Sequence, residues 1–317
     1  MNGPETSRAA APAGLGAGLL LACLTLVAGN AAAASCPGEG IAVQVLGSGG
    51  PIADDARAST GYIVWMNGES RVLIDAGAGA FLRFGEVGAD FAQLGFVGLS
   101  HFHTDHSADF PALLKSGFFS DRSVPLRLAG PSGSDRFPDL EGFLRGLLSP
   151  EAGAYRYLSG YLDGDGGLPA LDTVTVTDQS GTTRVFDGED SLVIDAMHVP
   201  HGIVPALAFR VRIGEMSIVF AGDQNGAKDA FVDFARKADL LVMHMAIPEG
   251  VGGPASWLHA TPREIGRVAG RVGARKLVLS HFMARSLRDL DGNVDRVRKH
   301  YDGPVIAADD LDCFPLP

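Results

Sequence analysis

After about residue 40, the chain consists of short apolar runs separated by turn-forming residues, a pattern that predicts a strand-rich domain. Ile41–Leu46 predicts a buried strand, and Thr60–Met66 and Arg71–Asp75 predict a hairpin that turns at Asn67-Gly68. Further strands are predicted at residues 95–99, 124–129, 173–177, 182–186, 192–198, 206–213, 217–221, 240–244 and 277–280.

Apolar residues at helical spacing predict helices at residues 108–114, 134–148 and 226–238, and a last one that ends near Val272. Residues 149–167 are rich in Gly, Tyr and Asp and have no clear period, which predicts a loop or partly helical insertion that could overhang a site. Local strand pairing comes first, and helices become frequent later. This order favours an α/β domain of the αββα type, in which two mixed β-sheets are flanked by helices.

The densest group of polar residues follows the predicted strand at 95–99. His101, His103, Asp105 and His106 lie on one tight connection between this strand and the next helix. Side chains two apart in an extended segment point the same way, so His101 and His103 can converge on one ion, and Asp105 and His106 can face a second. Imidazole and carboxylate together favour zinc, or less often manganese or iron. A solvated polar loop is the structural alternative.

This motif resembles the His-x-His-x-Asp-His signature of the metallo-β-lactamase superfamily, and the resemblance extends to the branch of ribonuclease Z and arylsulfatase-like enzymes. It implies the metallo-β-lactamase sandwich and a centre with two zinc ions per chain. The implied ligands of the first ion are His101, His103 and His201, and those of the second are Asp105, His106 and His281, with Asp223 shared. His198 is an alternative to His201, because both lie near the end of the same predicted strand.

Three other polar residues receive candidate roles. His259 resembles the ribonuclease Z histidine that is thought to supply or steer a proton. His244 either lines the pocket or is a hydrogen-bonded core histidine, because Met245 follows it where many relatives have Glu. Asp75, at a predicted strand end, either orients a metal-bound histidine or caps a helix.

The chemistry implied by the resemblance is hydrolysis of an ester-like bond by a hydroxide that bridges two metal ions. The candidate catalytic residues are Asp105, Asp223, His259 and His244. The substrate is expected to be a small phosphodiester, a sulfate ester or a lactone. The alternatives are a β-lactam or thioester hydrolase on the same fold, a non-catalytic metal-binding protein and, least favoured, a di-iron redox enzyme.

The N-terminal 35 residues predict export. No charged residue occurs between Ala9 and Gly38, and an apolar stretch is followed by a run of small residues, the layout of a signal peptide. A retained membrane anchor or a lipid anchor at Cys36 is the alternative. Residues 36–317 then form a single domain in a periplasmic or secreted protein. In such a compartment Cys36 and Cys313 either pair in a disulfide or remain two free thiols.

The net charge of the chain indicates which kinds of molecule it binds. The net charge is −11, the chain contains only five Lys, and no basic run occurs. This composition predicts a small-molecule substrate and no nucleic-acid partner. Only 21 residues separate His201 from Asp223, which leaves no room for the tRNA-gripping arm of ribonuclease Z. No stable membrane contact is expected unless the N-terminal segment is retained, and a homodimer is left open.

Overall fold

The computed structural model describes Cys36 and residues 38–317. The predicted signal peptide or anchor at residues 1–35 lies outside these residues. Within the described part, no helix has the length and apolar character needed to cross a membrane.

Two seven-stranded sheets form the centre of the domain. The first has the strand order β14-β1-β2-β3-β4-β5-β6, and the second has the order β13-β12-β11-β10-β9-β8-β7. The strands of the first sheet are β1 Ile41–Gly47, β2 Gly61–Met66, β3 Glu69–Ala76, β4 Phe96–Gly98, β5 Leu126–Pro131, β6 Leu171–Val176 and β14 Cys313–Leu316. Those of the second are β7 Thr183–Asp187, β8 Leu192–His201, β9 Val204–Ile213, β10 Met216–Phe220, β11 Leu240–His244, β12 Leu277–Ser280 and β13 Val305–Ala307.

Both sheets are mixed. In the first, β14, β1, β2 and β3 pair antiparallel, whereas β3, β4, β5 and β6 are parallel. In the second, β7 to β10 pair antiparallel and β10 to β13 are parallel. Each sheet therefore has a group of neighbouring parallel strands whose carboxyl ends open at one edge, where ligands commonly bind in α/β sheets.

Helices cover the outer faces of both sheets. They are α1 Ala80–Glu86, α2 Thr104–Ser107, α3 Phe110–Gly117, α4 Leu140–Leu148, α5 Gly160–Asp163, α6 Asp229–Phe234, α7 Pro254–Leu258, α8 Pro262–Val272, α9 Ala284–Leu287 and α10 Leu290–Arg298, with 3-10 turns at Phe91–Gln93 and Arg156–Leu158. One apolar core lies between the sheets, and two more lie between a sheet and its helices. Strands such as β2, apolar and buried at every position, have both faces covered. The αββα prediction is confirmed.

A disulfide joins Cys36 to Cys313, with 5.5 Å between their Cα atoms. Cys313 begins β14, which pairs antiparallel with β1. The bond therefore joins the start of the described chain to its last strand. The sequence left open whether these two Cys form a disulfide or remain free thiols, and the structure has the disulfide.

Three predicted segments differ from the structure. The helix predicted at 134–148 begins only at Leu140, because Asp139 caps it by accepting a hydrogen bond from the Gly142 amide at 2.7 Å. The helix predicted at 226–238 is limited to α6. Residues 149–167 do not overhang the site: Leu158 and Tyr161 are buried against the outer face of the first sheet, and the Tyr161 hydroxyl donates to the Leu114 carbonyl at 2.8 Å.

Candidate metal centre and active site

The ends of strands from both sheets bring the predicted ligands together at the edge between the two sheets. His101 to His106 follow β4 of the first sheet, and Asp223 and His281 follow β10 and β12 of the second. His201 ends β8. All the predicted ligands except His103 are buried, so the residues that the sequence separates by up to 180 positions form one polar cluster inside the fold.

His101, His103 and His201 form the first half of the cluster, and one ring nitrogen of each lies within 4.8 Å of the others. His101 Nε2 lies 3.0 Å from His103 Nδ1. His201 Nδ1 donates to the Leu258 carbonyl at 2.9 Å, which leaves the lone pair on Nε2 facing the cluster. Among the described residues this buried Nε2 has no hydrogen-bond partner. Three converging nitrogens, one of them unsatisfied, fit a zinc ion.

Asp105, His106 and His281 form the second half. His281 Nε2 lies 3.1 Å from His106 Nε2 and 3.2 Å from Asp105 Oδ2. His281 has a positive φ of 56°, so its backbone is held in the left-handed region while the ring faces the cluster. Burial alone would raise the pKa of Asp105, but the hydrogen bond from His281 and the neighbouring imidazoles lower it to about 2. The carboxylate is therefore anionic and able to bind a cation.

Asp223 lies between the two halves. Its Oδ2 is 3.5 Å from His201 Nε2 in the first half, and its Oδ1 is 3.3 Å from His281 Nε2 in the second. Despite complete burial, the surrounding imidazoles hold the pKa of Asp223 well below its usual range. One carboxylate with an oxygen towards each half matches the shared ligand that the resemblance implies.

His244 contacts the cluster through Asp223. Its Nδ1 donates to Asp223 Oδ1 at 2.6 Å, and its Nε2 lies 3.1 Å from the Tyr62 hydroxyl. Burial lowers the pKa of His244 to about 4, so the ring is neutral. His244 lies close enough to His106 and His281 to be grouped with them as a ligand. We favour Asp105 for that role, because the facing nitrogen of His244 already binds Asp223.

His259 faces the cavity from the other side of Asp223. Its Nδ1 is 3.7 Å from Asp223 Oδ2 and, among the described residues, has no hydrogen-bond partner. Burial lowers the pKa of His259 to about 3. A neutral imidazole with a free nitrogen beside the cluster is able to exchange a proton with a bound substrate.

Asp75 orients His106. Its Oδ2 accepts a hydrogen bond from His106 Nδ1 at 2.8 Å, and its Oδ1 accepts one from the Ser100 amide at 2.7 Å. Although burial opposes it, the carboxylates of Asp75 and Asp223 raise the pKa of His106 to about 9. The field at His106 therefore favours a cation. Asp109, rather than Asp75, caps the start of the helix that follows β3.

The cluster lies at the base of a cavity of about 510 Å³. The cavity is lined by Pro51, Phe102, His103, Thr104, Asp105, His201, Asp223, Leu258, His259, His281, Met283 and Arg285. Its walls are mainly apolar, and among the described residues that line it Arg285 is the one Lys or Arg. A larger groove of about 770 Å³ between α8 and residues 300–303 contains none of the predicted ligands, so we assign the chemistry to the smaller cavity.

His198 lies elsewhere. Its Nε2 donates to the Val176 carbonyl at 2.8 Å, and His198 does not line the cavity that His201 lines. The sequence also missed Tyr62 and Ser280, whose hydroxyls are 3.0 Å apart behind His244. Nothing in the apolar run around Tyr62 indicates this contact.

The chain is similar in sequence to ribonucleases. It is 28% identical to ribonuclease Z of Haloferax volcanii, in a match that covers 86% of this chain and 94% of that protein. It is 25% identical to ribonuclease Z of Methanosarcina acetivorans, over 84% of this chain and 95% of that protein. The prediction of a metal-dependent hydrolase that acts on ester bonds is confirmed by these relatives.

Solved structures have the same fold. The metallo-β-lactamase fold protein YhfI of Bacillus subtilis matches with a TM-score of 0.66 and 21% identity, over 86% of this chain and 98% of that one. Short-form human tRNase Z matches with a TM-score of 0.66 and 21% identity, over 87% of this chain and 99% of that one. Zn²⁺-bound PqqB of Methylobacterium extorquens matches with a TM-score of 0.58 and 13% identity, over 87% of this chain and 100% of that one.

The expectation of no nucleic-acid partner is wrong, because the relatives that span most of the chain are ribonucleases. The expectation rested on the net charge of the whole chain, which does not describe the distribution of charge along it. Residues 262–300 contain ten Lys or Arg against four Asp or Glu, so the acidic excess lies elsewhere in the chain. The model of the β-lactamase superfamily domain matches residues 70–282, more than half of the chain, and the chain therefore belongs to the β-lactamase superfamily.

Proposed function

We propose that this protein is a two-metal phosphodiesterase whose substrates contain nucleotides, RNA included. The observation that carries the proposal is the position of Asp223, which directs one oxygen to each half of a cluster of histidines and carboxylates. Two-metal sites are common in enzymes that cleave phosphate esters, because two ions can stabilise both the attacking and the leaving oxygen. The ribonuclease relatives support the phosphodiester as the bond that is cleaved.

The donor set supports zinc at both positions. Five imidazoles and two carboxylates converge there, and the unsatisfied Nε2 of His201 faces the cluster. His101, His103 and His201 would hold one ion, and Asp105, His106 and His281 the other, with Asp223 shared. Manganese or iron is the alternative. When bound, a pair of zinc ions supplies Lewis acidity and lowers the pKa of water to about 7.

The residues around the cluster have separate roles in this proposal. His259 gives or takes the proton of the reacting oxygen, because its neutral ring has a free nitrogen at the cavity wall. His244 positions Asp223 through the 2.6 Å hydrogen bond and does not reach the cavity wall. Arg285 binds a phosphate oxygen at the mouth; its Nε donates to the Ala246 carbonyl at 3.0 Å, which fixes the plane of the guanidinium.

We also propose that the protein acts in an exported form. The Cys36–Cys313 disulfide supports this, since such bonds persist in oxidising compartments. Export is tested by fractionating cells that produce the full chain and sequencing the mature N-terminus. Protein found only in the cytoplasm with an intact N-terminus would contradict it.

The substrate assignment is tested with the zinc-loaded chain. We expect cleavage of bis(p-nitrophenyl) phosphate and of a short oligoribonucleotide, with rates at least about 100-fold above those for p-nitrophenyl sulfate and an aryl lactone. His259→Ala should lower kcat by about 100-fold or more with two metals retained. His300→Ala, which changes an exposed histidine at the end of α10, is the matched control and should leave kcat unchanged. Turnover of the sulfate or the lactone without phosphodiester cleavage would show that the substrate is not a phosphodiester.

A further inference from the structure

We propose that Trp257 is a substrate-recognition residue whose indole stacks on the nucleobase next to the phosphodiester bond that is cleaved. The inference rests on the proposed function, because it names the chemical group that the same site recognises. Trp257 is 63% exposed, whereas Trp65, the other tryptophan, is 6% exposed. Tryptophan is on average a highly buried residue, and the segment that carries this exposed indole continues directly into the cavity wall at Leu258 and His259.

The backbone holds Trp257 at the rim of the cavity. The next two residues, Leu258 and His259, both line it. The Leu258 carbonyl accepts the 2.9 Å hydrogen bond from His201, and the Trp257 carbonyl accepts one from Asn225 Nδ2 at 3.1 Å. The end of α7 is therefore fixed to two segments that carry metal-ligand candidates, and the backbone of Trp257 has a defined place beside the cavity.

A second exposed apolar residue lies on a segment that packs against α7. Ile203, two residues after His201, is 64% exposed. The turn that carries Ile203 packs closely on α7, since a Cβ at Gly202 would lie 2.9 Å from Leu258 Cδ2. Inside the mouth, the apolar surface continues through Leu258 and Met283. Exposed apolar residues thus border a strongly polar cluster.

This combination fits a substrate with a charged phosphate joined to a flat apolar group. A nucleobase is such a group, and stacking on an aromatic side chain tolerates any base because every base has a π-face. The phosphate would lie at the cluster and Arg285, and the base would lie against the indole at the rim. Trp257 therefore determines which phosphodiesters bind well, and not the rate of the chemical step.

Kinetics with two substrates test the proposal. Thymidine 5′-p-nitrophenyl phosphate and methyl p-nitrophenyl phosphate release the same product, but only the first carries a base. With the zinc-loaded chain, we expect Trp257→Ala to raise KM for the thymidine compound by about 5- to 100-fold, with kcat unchanged and little effect on the methyl compound. Trp257→Phe should retain most of the affinity. Phe119→Ala, which removes an exposed aromatic ring outside the cavity, should change neither KM.

Fluorescence gives a readout that does not depend on turnover. Thymidine 5′-monophosphate should quench the emission of the parent, inorganic phosphate should not, and Trp257→Phe should abolish the quenching, leaving the signal of the buried Trp65. An unchanged KM ratio in Trp257→Ala, an equal rise for both substrates, or quenching that persists in Trp257→Phe would overturn the proposal. If the parent cleaves neither compound, the proposed function fails, and the titration still decides whether the indole stacks on the base.

Discussion

Asp75→Asn should weaken the binding of one of two zinc ions by about 10- to 100-fold. In the parent, Asp75 Oδ2 accepts the proton of His106 Nδ1 at 2.8 Å, which leaves Nε2 as the nitrogen of that ring able to bind a metal ion. An amide has only one acceptor oxygen. If that oxygen keeps the bond from the Ser100 amide, the new NH₂ group faces His106 Nδ1 and favours the tautomer with its proton on Nε2.

The magnitude follows from this loss. A hydrogen bond to a buried charged group contributes about 1.5–3 kcal/mol, and each 1.4 kcal/mol corresponds to about a tenfold change in affinity. Comparable losses follow when the residue that orients a ligating histidine is removed. The measurement is zinc affinity by competition with a chromophoric chelator, together with the metal content of the purified variant.

Asp109→Asn is the matched control. Asp109 is also a carboxylate beside the His101–His106 loop, and its Oδ2 accepts from the amides of Gly79 and Phe81 at 2.7 and 3.0 Å rather than from a histidine. We expect this variant to lower thermal stability and to change zinc affinity by less than about threefold. Parent-like affinity for both ions in Asp75→Asn, or an equal loss in Asp109→Asn, would refute the reasoning.

Three further predictions concern the cluster and the fold. Asp223→Ala should abolish activity and reduce the bound metal below two ions per chain, as measured by elemental analysis; full activity would remove Asp223 from the site. Tyr62→Phe should lower kcat by about fivefold at unchanged metal content, because His244 loses the hydroxyl 3.1 Å from its Nε2; a parent-like kcat would contradict the role given to His244. Replacing Cys36 and Cys313 with Ser should lower the free energy of unfolding by about 2–4 kcal/mol, the typical contribution of a disulfide, because the bond between them restricts the unfolded chain. Denaturant titration measures the free energy of unfolding. Equal stability of the parent with and without reductant would contradict the prediction.

The sequence predicted the parts of the site that are local or lie at strand ends. His101 to His106 occupy six consecutive positions, so their convergence needs little tertiary information. His201, Asp223 and His281 were located from their strand ends and from the family pattern, and the structure brings all three to the same cluster.

Other features depend on contacts that no local pattern contains. The hydroxyl of Tyr62 meets His244 across a separation of 182 residues, and its surrounding run is typical of any buried strand. The sequence around Asp75 was equally consistent with orienting a histidine and with capping a helix. Its positive φ of 60°, which the sequence does not reveal, accompanies the hydrogen bond of its carboxylate with the Ser100 amide. Residues 149–167 have no period, so the pattern left open which face of the sheet they cover.

Each half of the cluster draws its side chains from both sheets. His101 to His106 belong to the first sheet, whereas His201, Asp223 and His281 belong to the second. Zinc bound there would add a cross-link between two layers that already meet at that edge through apolar packing and through hydrogen bonds such as the one from Tyr62 to Ser280 at 3.0 Å. We therefore expect occupancy by the ion to be coupled to closure of the sandwich, and depletion of the metal to weaken the contact between the layers before it affects either layer itself.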